Sequence, residues 1–125
     1  MKRLTILTLM GLIITLLFSC KKEEVPVVTT NSVTNITFSS ATCGGNIIDV
    51  GSSRIIMQGI LFGTNSLPTI GDNYITDNTG MNNFVINITE LNDTTIYYVR
   101  AYAVNVSGVG YGNTFSFTTL KRNRR

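Results

Sequence analysis

In several stretches the chain alternates inward-type and outward-type residues with a period of two. Successive side chains of a strand point to opposite faces, so this pattern marks half-buried β-strands. The clearest run follows the polar turn Asn92–Thr95. Tyr97, Val99, Ala101 and Ala103 share one parity, while Tyr98, Arg100, Tyr102 and Val104 share the other. The first set predicts a core-lining face and the second an outward stripe. In the strand before it, Phe84, Ile86 and Ile88 alternate with Val85, Asn87 and Thr89. Ser40 to Val50 places Ala41, Cys43, Gly45 and Ile47 on one parity, which turns Cys43 inward as a small buried hydrophobe. Pro26 to Thr30 reads as an edge strand, where proline costs no needed ladder bond, and Val33 to Phe38 continues it. Arg54 to Gly63 predicts a third long strand, but its apolar residues fall on both parities and leave its inner face open. Thr64 to Asn83 is punctuated by Pro68, Gly71, Asp72-Asn73, Asp77-Asn78 and Gly80, and reads as irregular apart from a short strand at Tyr74–Thr76. A turn at Ser107–Gly110 leads into a closing strand, Gly112 to Thr119. Short strands between turn signals, with no amphipathic helix beyond the first nineteen residues, predict an all-β sandwich.

One position sharpens this expectation. Tyr97 stands just after the polar turn and six residues beyond Leu91. That spacing predicts a tyrosine corner, in which the ring packs inside and the hydroxyl ties down the preceding loop.

The first residues follow a different pattern. Met1-Lys2-Arg3 is a basic start, and Leu4 to Phe18 is an almost unbroken apolar run. Fifteen residues in a helix span about 22 Å, short of the roughly 30 Å hydrocarbon core, so a signal peptide fits better than a transmembrane anchor. The run ends Leu17-Phe18-Ser19-Cys20, which resembles the bacterial lipobox. That resemblance implies cleavage before Cys20 and a lipid anchor on its thiol; the alternative is an ordinary secretory signal with an incidental cysteine. Two or three acyl chains hold a protein at a bilayer where one does so only marginally. The next residues, Lys21-Lys22-Glu23-Glu24, resemble the lipoprotein export signal of Bacteroidetes, in which a lysine precedes two acids. Lys22, Glu23 and Glu24 then imply display on the outer face of the outer membrane, with retention on the periplasmic face as the alternative. The chain therefore divides into a signal peptide (1–19), a lipidated tether (20–25), one domain (26–119) and a basic tail (120–125). The tether from Cys20 to Pro26 reaches about 20 Å at most, which keeps the domain near the membrane.

Within the domain, Ser40-Ala-Thr-Cys-Gly-Gly-Asn46, the run Leu91 to Asn105, and Tyr111-Gly-Asn with Phe115-Ser-Phe-Thr-Thr119 resemble the fibronectin type III-like repeats of Bacteroidetes surface proteins. The resemblance covers nearly all of Val25 to Thr119 and implies an immunoglobulin-like two-sheet sandwich of about seven strands. It makes Tyr97 the corner tyrosine and Leu91 its core partner. The chain has no tryptophan, and Gly45 falls where such modules usually carry one.

Composition narrows the chemistry. The formal charge of +3 comes from the two ends, because between Cys20 and Leu120 the cations Lys21, Lys22, Arg54 and Arg100 face seven acids, a net −3. No basic stripe crosses the domain, which argues against nucleic acid as a partner. The chain has no histidine, which removes the commonest general base and metal ligand. Asp49, Asp72, Asp77, Glu90 and Asp93 sit in or beside turns, where their side chains bond nearby backbone, and nothing around them forms a catalytic constellation. The Asp72-Asn73 and Asp77-Asn78 pairs offer oxygens but not the spacing of a calcium loop. No metal, no cofactor and no enzyme activity is expected. Cys43 is expected to be free, since lipidation consumes the thiol of Cys20; a disulfide between them is the alternative. The stripe Tyr98-Arg100-Tyr102 is the candidate binding face, two aromatics flanking a guanidinium that suit a sugar ring or a peptide; the alternative is a cation–π ladder covering the sheet. Asp93-Thr94-Thr95 resembles a Bacteroidetes O-glycosylation motif and marks Thr94, though a turn calls for the same residues. The tail Lys121 to Arg125 reads as a solvated end, with contact to anionic lipid as the alternative. The expected function is a non-catalytic, lipid-anchored surface module for protein or glycan interaction, or else a structural spacer or remnant of a longer protein.

Overall fold

The computed structural model describes residues 22–123. The segment expected as a signal peptide, Cys20, Lys21 and the last two arginines lie outside the described residues. Eight strands follow in chain order: β1 (Val27–Thr30), β2 (Ala41–Asp49), β3 (Met57–Gly63), β4 (Asn73–Thr76), β5 (Asn83–Ile88), β6 (Ile96–Asn105), β7 (Gly108–Tyr111) and β8 (Phe115–Thr118). They form two antiparallel sheets. One has the order β1-β2-β5; the other runs β4-β3-β6-β7, with β8 also paired to β6.

The core lies between the sheets. Val28, Ala41, Cys43, Ile47, Phe84, Ile86 and Ile88 come from one, and Ile60, Tyr97, Val99, Ala101, Ala103 and Phe117 from the other. The period-two pattern of β2, β5 and β6 thus places its apolar set inside, because one face of each strand must leave water. Gly45 explains how the sheets meet without tryptophan. A Cβ there would collide with the Ala101 methyl at 2.6 Å and with Phe84 Cζ at 2.8 Å, so the Phe84 ring occupies the space.

Three sequence expectations change. Val33 to Phe38 does not continue the first strand; its ladder pairing is limited to the isolated bridge Thr34–Thr42. The closing strand expected from Gly112 starts only at Phe115, as β8, and a separate strand, β7 (Gly108–Tyr111), occupies the expected turn. β7 pairs with the second half of β6 and β8 with the first. Between them β1 intrudes: Thr30 Oγ1 accepts from Ala101 N at 2.8 Å, and Asn113 Oδ1 accepts from Thr30 N at 3.0 Å. The amide of Ala101, left without a strand partner at the break, is satisfied by a side chain from the opposite sheet, as a buried donor must be. Gly110 and Gly112 permit this crossing, since a Cβ on either would strike the backbone of Pro26 or Thr30. The third change concerns β3, whose two faces are both covered. Ile60 faces the central core, while Leu61, on the opposite face, is equally buried.

Candidate functional site

The stripe Tyr98-Arg100-Tyr102 lies on the outer face of the larger sheet, and the structure divides it. Tyr102 is fully buried, which removes it from any ligand-stacking role. It stands opposite Gly59 on β3 and Tyr111 on β7. A glycine opposite an aromatic leaves room for the ring to lie across the strand. Leu61 and Pro68 are buried with it, so this part of the outer face is a second apolar layer. The Tyr102 hydroxyl has no hydrogen-bond partner among the described residues; Thr76 approaches it without the geometry of a bond. Burial pushes the phenol's pKa up, because the charged form would have to leave water.

Arg100 is committed internally. Its Nε donates to Gly112 O at 3.2 Å and its Nη1 to Pro68 O at 3.1 Å. The guanidinium carbon lies 4.2 Å from the centre of the Tyr111 ring, a cation–π contact. Tyr111 Oη in turn accepts from Ile70 N at 3.3 Å. Together these bonds hold the segment between β3 and β4 against the sheet. Partial burial lowers the guanidinium's pKa. Tyr98 remains half-buried, beside Gly63 and Ser116 on the neighbouring strands. The periodicity that put these three residues on one face was sound, but periodicity does not show that a loop folds back over that face.

The turn before β6 is stapled from several directions. Tyr97 is buried, and its hydroxyl accepts from Asn92 N at 2.9 Å. Its ring stacks on Phe117 at 5.8 Å between centroids. Thr119 Oγ1 donates to Asn92 O at 2.6 Å and accepts from Thr95 N at 2.9 Å. Leu91 is buried in the core below. Thr94 is exposed at the tip with a φ of 50°, an unusual value for a β-branched residue, held by these neighbours.

The acids are occupied with turns. Asp72 accepts from Thr69 N at 2.7 Å, and Asp77 from Thr79 Oγ1 at 2.6 Å and Gln58 Nε2 at 3.0 Å. β4 separates the two, and among the described residues no three acids or cysteines gather as a metal site would require. Cys43 is free and buried, and desolvation raises its pKa to about 11, so its thiolate is scarce at neutral pH.

The two chain ends attach at opposite poles. At one pole the Glu24 backbone is held by Ser52 and Asn105: its amide lies 3.1 Å from Ser52 Oγ, and its carbonyl accepts from Ser52 N at 3.1 Å, Ser52 Oγ at 3.2 Å and Asn105 Nδ2 at 2.9 Å. Asn105 is buried and also donates to Val50 O and accepts from Ser107 N and Gly108 N. The sequence names Asn105 within the fibronectin type III-like resemblance but assigns it no role, because its partners Glu24 and Val50 are distant in the chain. At the other pole Leu120 N donates to Thr37 O, Arg122 N to Asp93 Oδ2, and the Arg122 guanidinium lies 5.4 Å from the Phe38 ring. The ten residues of β6 separate the poles by roughly 30 Å.

No family model and no curated protein matches the chain. Solved structures do. The fourth fibronectin type III domain of a human protein superposes with a TM-score of 0.58 at 18% identity, covering 86% of this chain and 88% of that one. The fold is a fibronectin type III-like sandwich. The FN1–FN3 domains of chicken CNTN1 give the same score at 19% identity, over 80% of this chain and 33% of theirs. The sensor domain of the anti-sigma factor RsgI4 from Pseudobacteroides cellulosolvens is similar as well, with a TM-score of 0.58, 18% identity and 79% and 76% coverage. At such identities the likeness carries the architecture alone.

Proposed function

We propose that the protein is a non-catalytic surface module, anchored in a membrane through lipid on Cys20 and serving contact with an extracellular protein or glycan. The observation that carries this reading is the clip at Glu24. With the backbone fixed there, only three residues lie between Glu24 and Cys20, a reach of about 14 Å. A lipid on Cys20 therefore holds the Glu24 pole against the bilayer. The opposite pole, carrying the turn with Thr94 and the start of the basic tail, then points outward. In that orientation the tail is a solvated end, not a contact to the anchoring membrane. Lys22 and Glu23 are exposed, as an export signal read by other proteins requires, and the proposed address is the outer face of the outer membrane. Thr94 is the proposed glycosylation position. Tyr98 with the outward turns is the remaining candidate for ligand contact.

The commitment of Arg100 and Tyr102 to the fold favours a second reading, a spacer or remnant of a longer surface protein without a ligand of its own. Radiolabelled palmitate should enter the wild-type chain and not Cys20→Ser; equal labelling of both would remove the anchor. Protease treatment of intact cells should remove the domain if it is displayed outward. The full chain in mild detergent, screened on a glycan array and by pull-down, should bind a partner that Tyr98→Ala loses while its melting temperature holds. No binding in either screen would favour the spacer.

A further inference from the structure

Sheets end in edges, and an open edge strand is a template for another strand unless the fold blunts it. Three of this protein's edges are blunted. β1 has four residues, follows Pro26 and carries an irregular register at Val27/Val28. β4 also has only four residues. The far edge of β6 is taken by two separate short strands, β7 and β8. β5 differs: it is the last strand of its sheet, has six residues in unbroken register with β2, and contains no charge and no proline.

The direction of its backbone groups follows from the ladder. An antiparallel pair alternates between residues that exchange hydrogen bonds and residues that do not. Ile47 N donates to Asn82 O, which sets the phase. Gly45–Phe84, Cys43–Ile86 and Ala41–Ile88 are then the bonded pairs. Consistently, Thr42 exchanges its backbone bonds with Thr34, and Gly44 O accepts from Asn31 N, both on the far side of β2. The amides and carbonyls of Asn83, Val85 and Asn87 therefore point away from the sheet, along its open edge. All three side chains are exposed, Val85 by 69%.

The strand reads Asn-Phe-Val-Ile-Asn about Val85, chemically the same in both directions. We propose that β5 is a homotypic pairing edge, on which β5 of a second copy adds antiparallel across a two-fold axis through Val85. Val85 then faces Val85 of the other copy, and Asn83 faces Asn87 twice. About six backbone hydrogen bonds close the joint. Apolar meets apolar at the axis, amide meets amide beside it, and no like charges oppose one another. A partner strand of another protein has no such match dictated by this sequence. Because the pairing is antiparallel, the two Glu24 poles point in opposite directions. Copies standing upright on one membrane are therefore kept apart, while copies on facing membranes can join. That last consequence rests on the lipid anchor; the pairing itself does not.

The test uses the full chain purified in mild detergent, where anchors impose no orientation. Sedimentation from about 10 μM to 1 mM, the range in which small interfaces associate, should show a reversible monomer–dimer equilibrium. Val85→Lys places two ammonium groups at the axis and should weaken association at least tenfold with the thermal midpoint unchanged. Val85→Cys should form an oxidant-induced dimer well above the wild-type background, since directly opposed residues lie about 5.5 Å apart at Cα, within disulfide reach. Val106→Cys, more exposed at 79% but at the Glu24 pole, should not. A monomer at every concentration, a dimer indifferent to Val85→Lys, or equal cross-linking at both positions would overturn the proposal.

Discussion

Replacing Tyr97 by phenylalanine removes one oxygen and leaves the rest of the corner in place. The ring keeps its burial and its stack on Phe117, so no cavity opens and the apolar contribution is unchanged. What is lost is the 2.9 Å bond from Asn92 N. A bond of this kind contributes about 1 kcal/mol net, and more where the abandoned donor stays out of water. Asn92 is itself exposed, so its freed amide can reach solvent and the lower figure applies. For a domain of this size, 1 kcal/mol moves the thermal midpoint down by about 4–8 °C. Urea denaturation should show a lower midpoint at constant slope, since no additional surface is exposed. Tyr98→Phe, on the other face of the same strand, serves as the control and should change little. Coupling to Thr119→Val tests the assignment further, because both side chains hold Asn92; the double variant should depart from additivity by about 0.5 kcal/mol or more. A Tyr97→Phe midpoint equal to wild type would refute the reasoning that this hydroxyl fixes the turn.

Three further outcomes are expected. Asn105→Ala strands the carbonyl of Val50 and the amides of Ser107 and Gly108 and takes one donor from the Glu24 carbonyl; it should cost about 2–4 kcal/mol and speed hydrogen exchange near residues 24–30, and unchanged exchange there would refute the clip. Arg100→Met should destabilise by about 1 kcal/mol and expose the segment between β3 and β4 to limited proteolysis, as it removes both carbonyl contacts; a cleavage pattern identical to wild type would refute the strut role. Stability should fall on the alkaline side. The Cys43 thiol ionises near pH 9 when unfolded and at about 11 when folded, so its contribution is complete below pH 9 and disappears as pH rises through 11. Two pH units correspond to about 2–3 kcal/mol, and the raised pKa of Tyr102 acts in the same direction. In Cys43→Ala the stability lost between pH 9 and 11 should be smaller by about that total.

Much of the fold was legible because it is local. Strand alternation at β2, β5 and β6 depends only on which of two faces meets water, and that choice is written every second residue. The same holds for the turn before β6, whose tyrosine and leucine are close in the chain. The acids near turns were legible for the same reason, since Asp72 and Asp77 bond residues two or three positions away.

The rest needed distant segments brought together. The gap between β7 and β8 depends on Thr30 reaching an amide 71 residues away. Whether Tyr102 faces solvent depends on a loop folding back to Arg100, 32 residues from its carbonyl partner. The clip at Glu24 needs Asn105, 81 residues on. By itself the sequence determined which residues shun water and where the backbone turns, since both follow from neighbours within a few positions. Only tertiary structure decided which polar groups meet across those distances, and which edge strand is left without a neighbour.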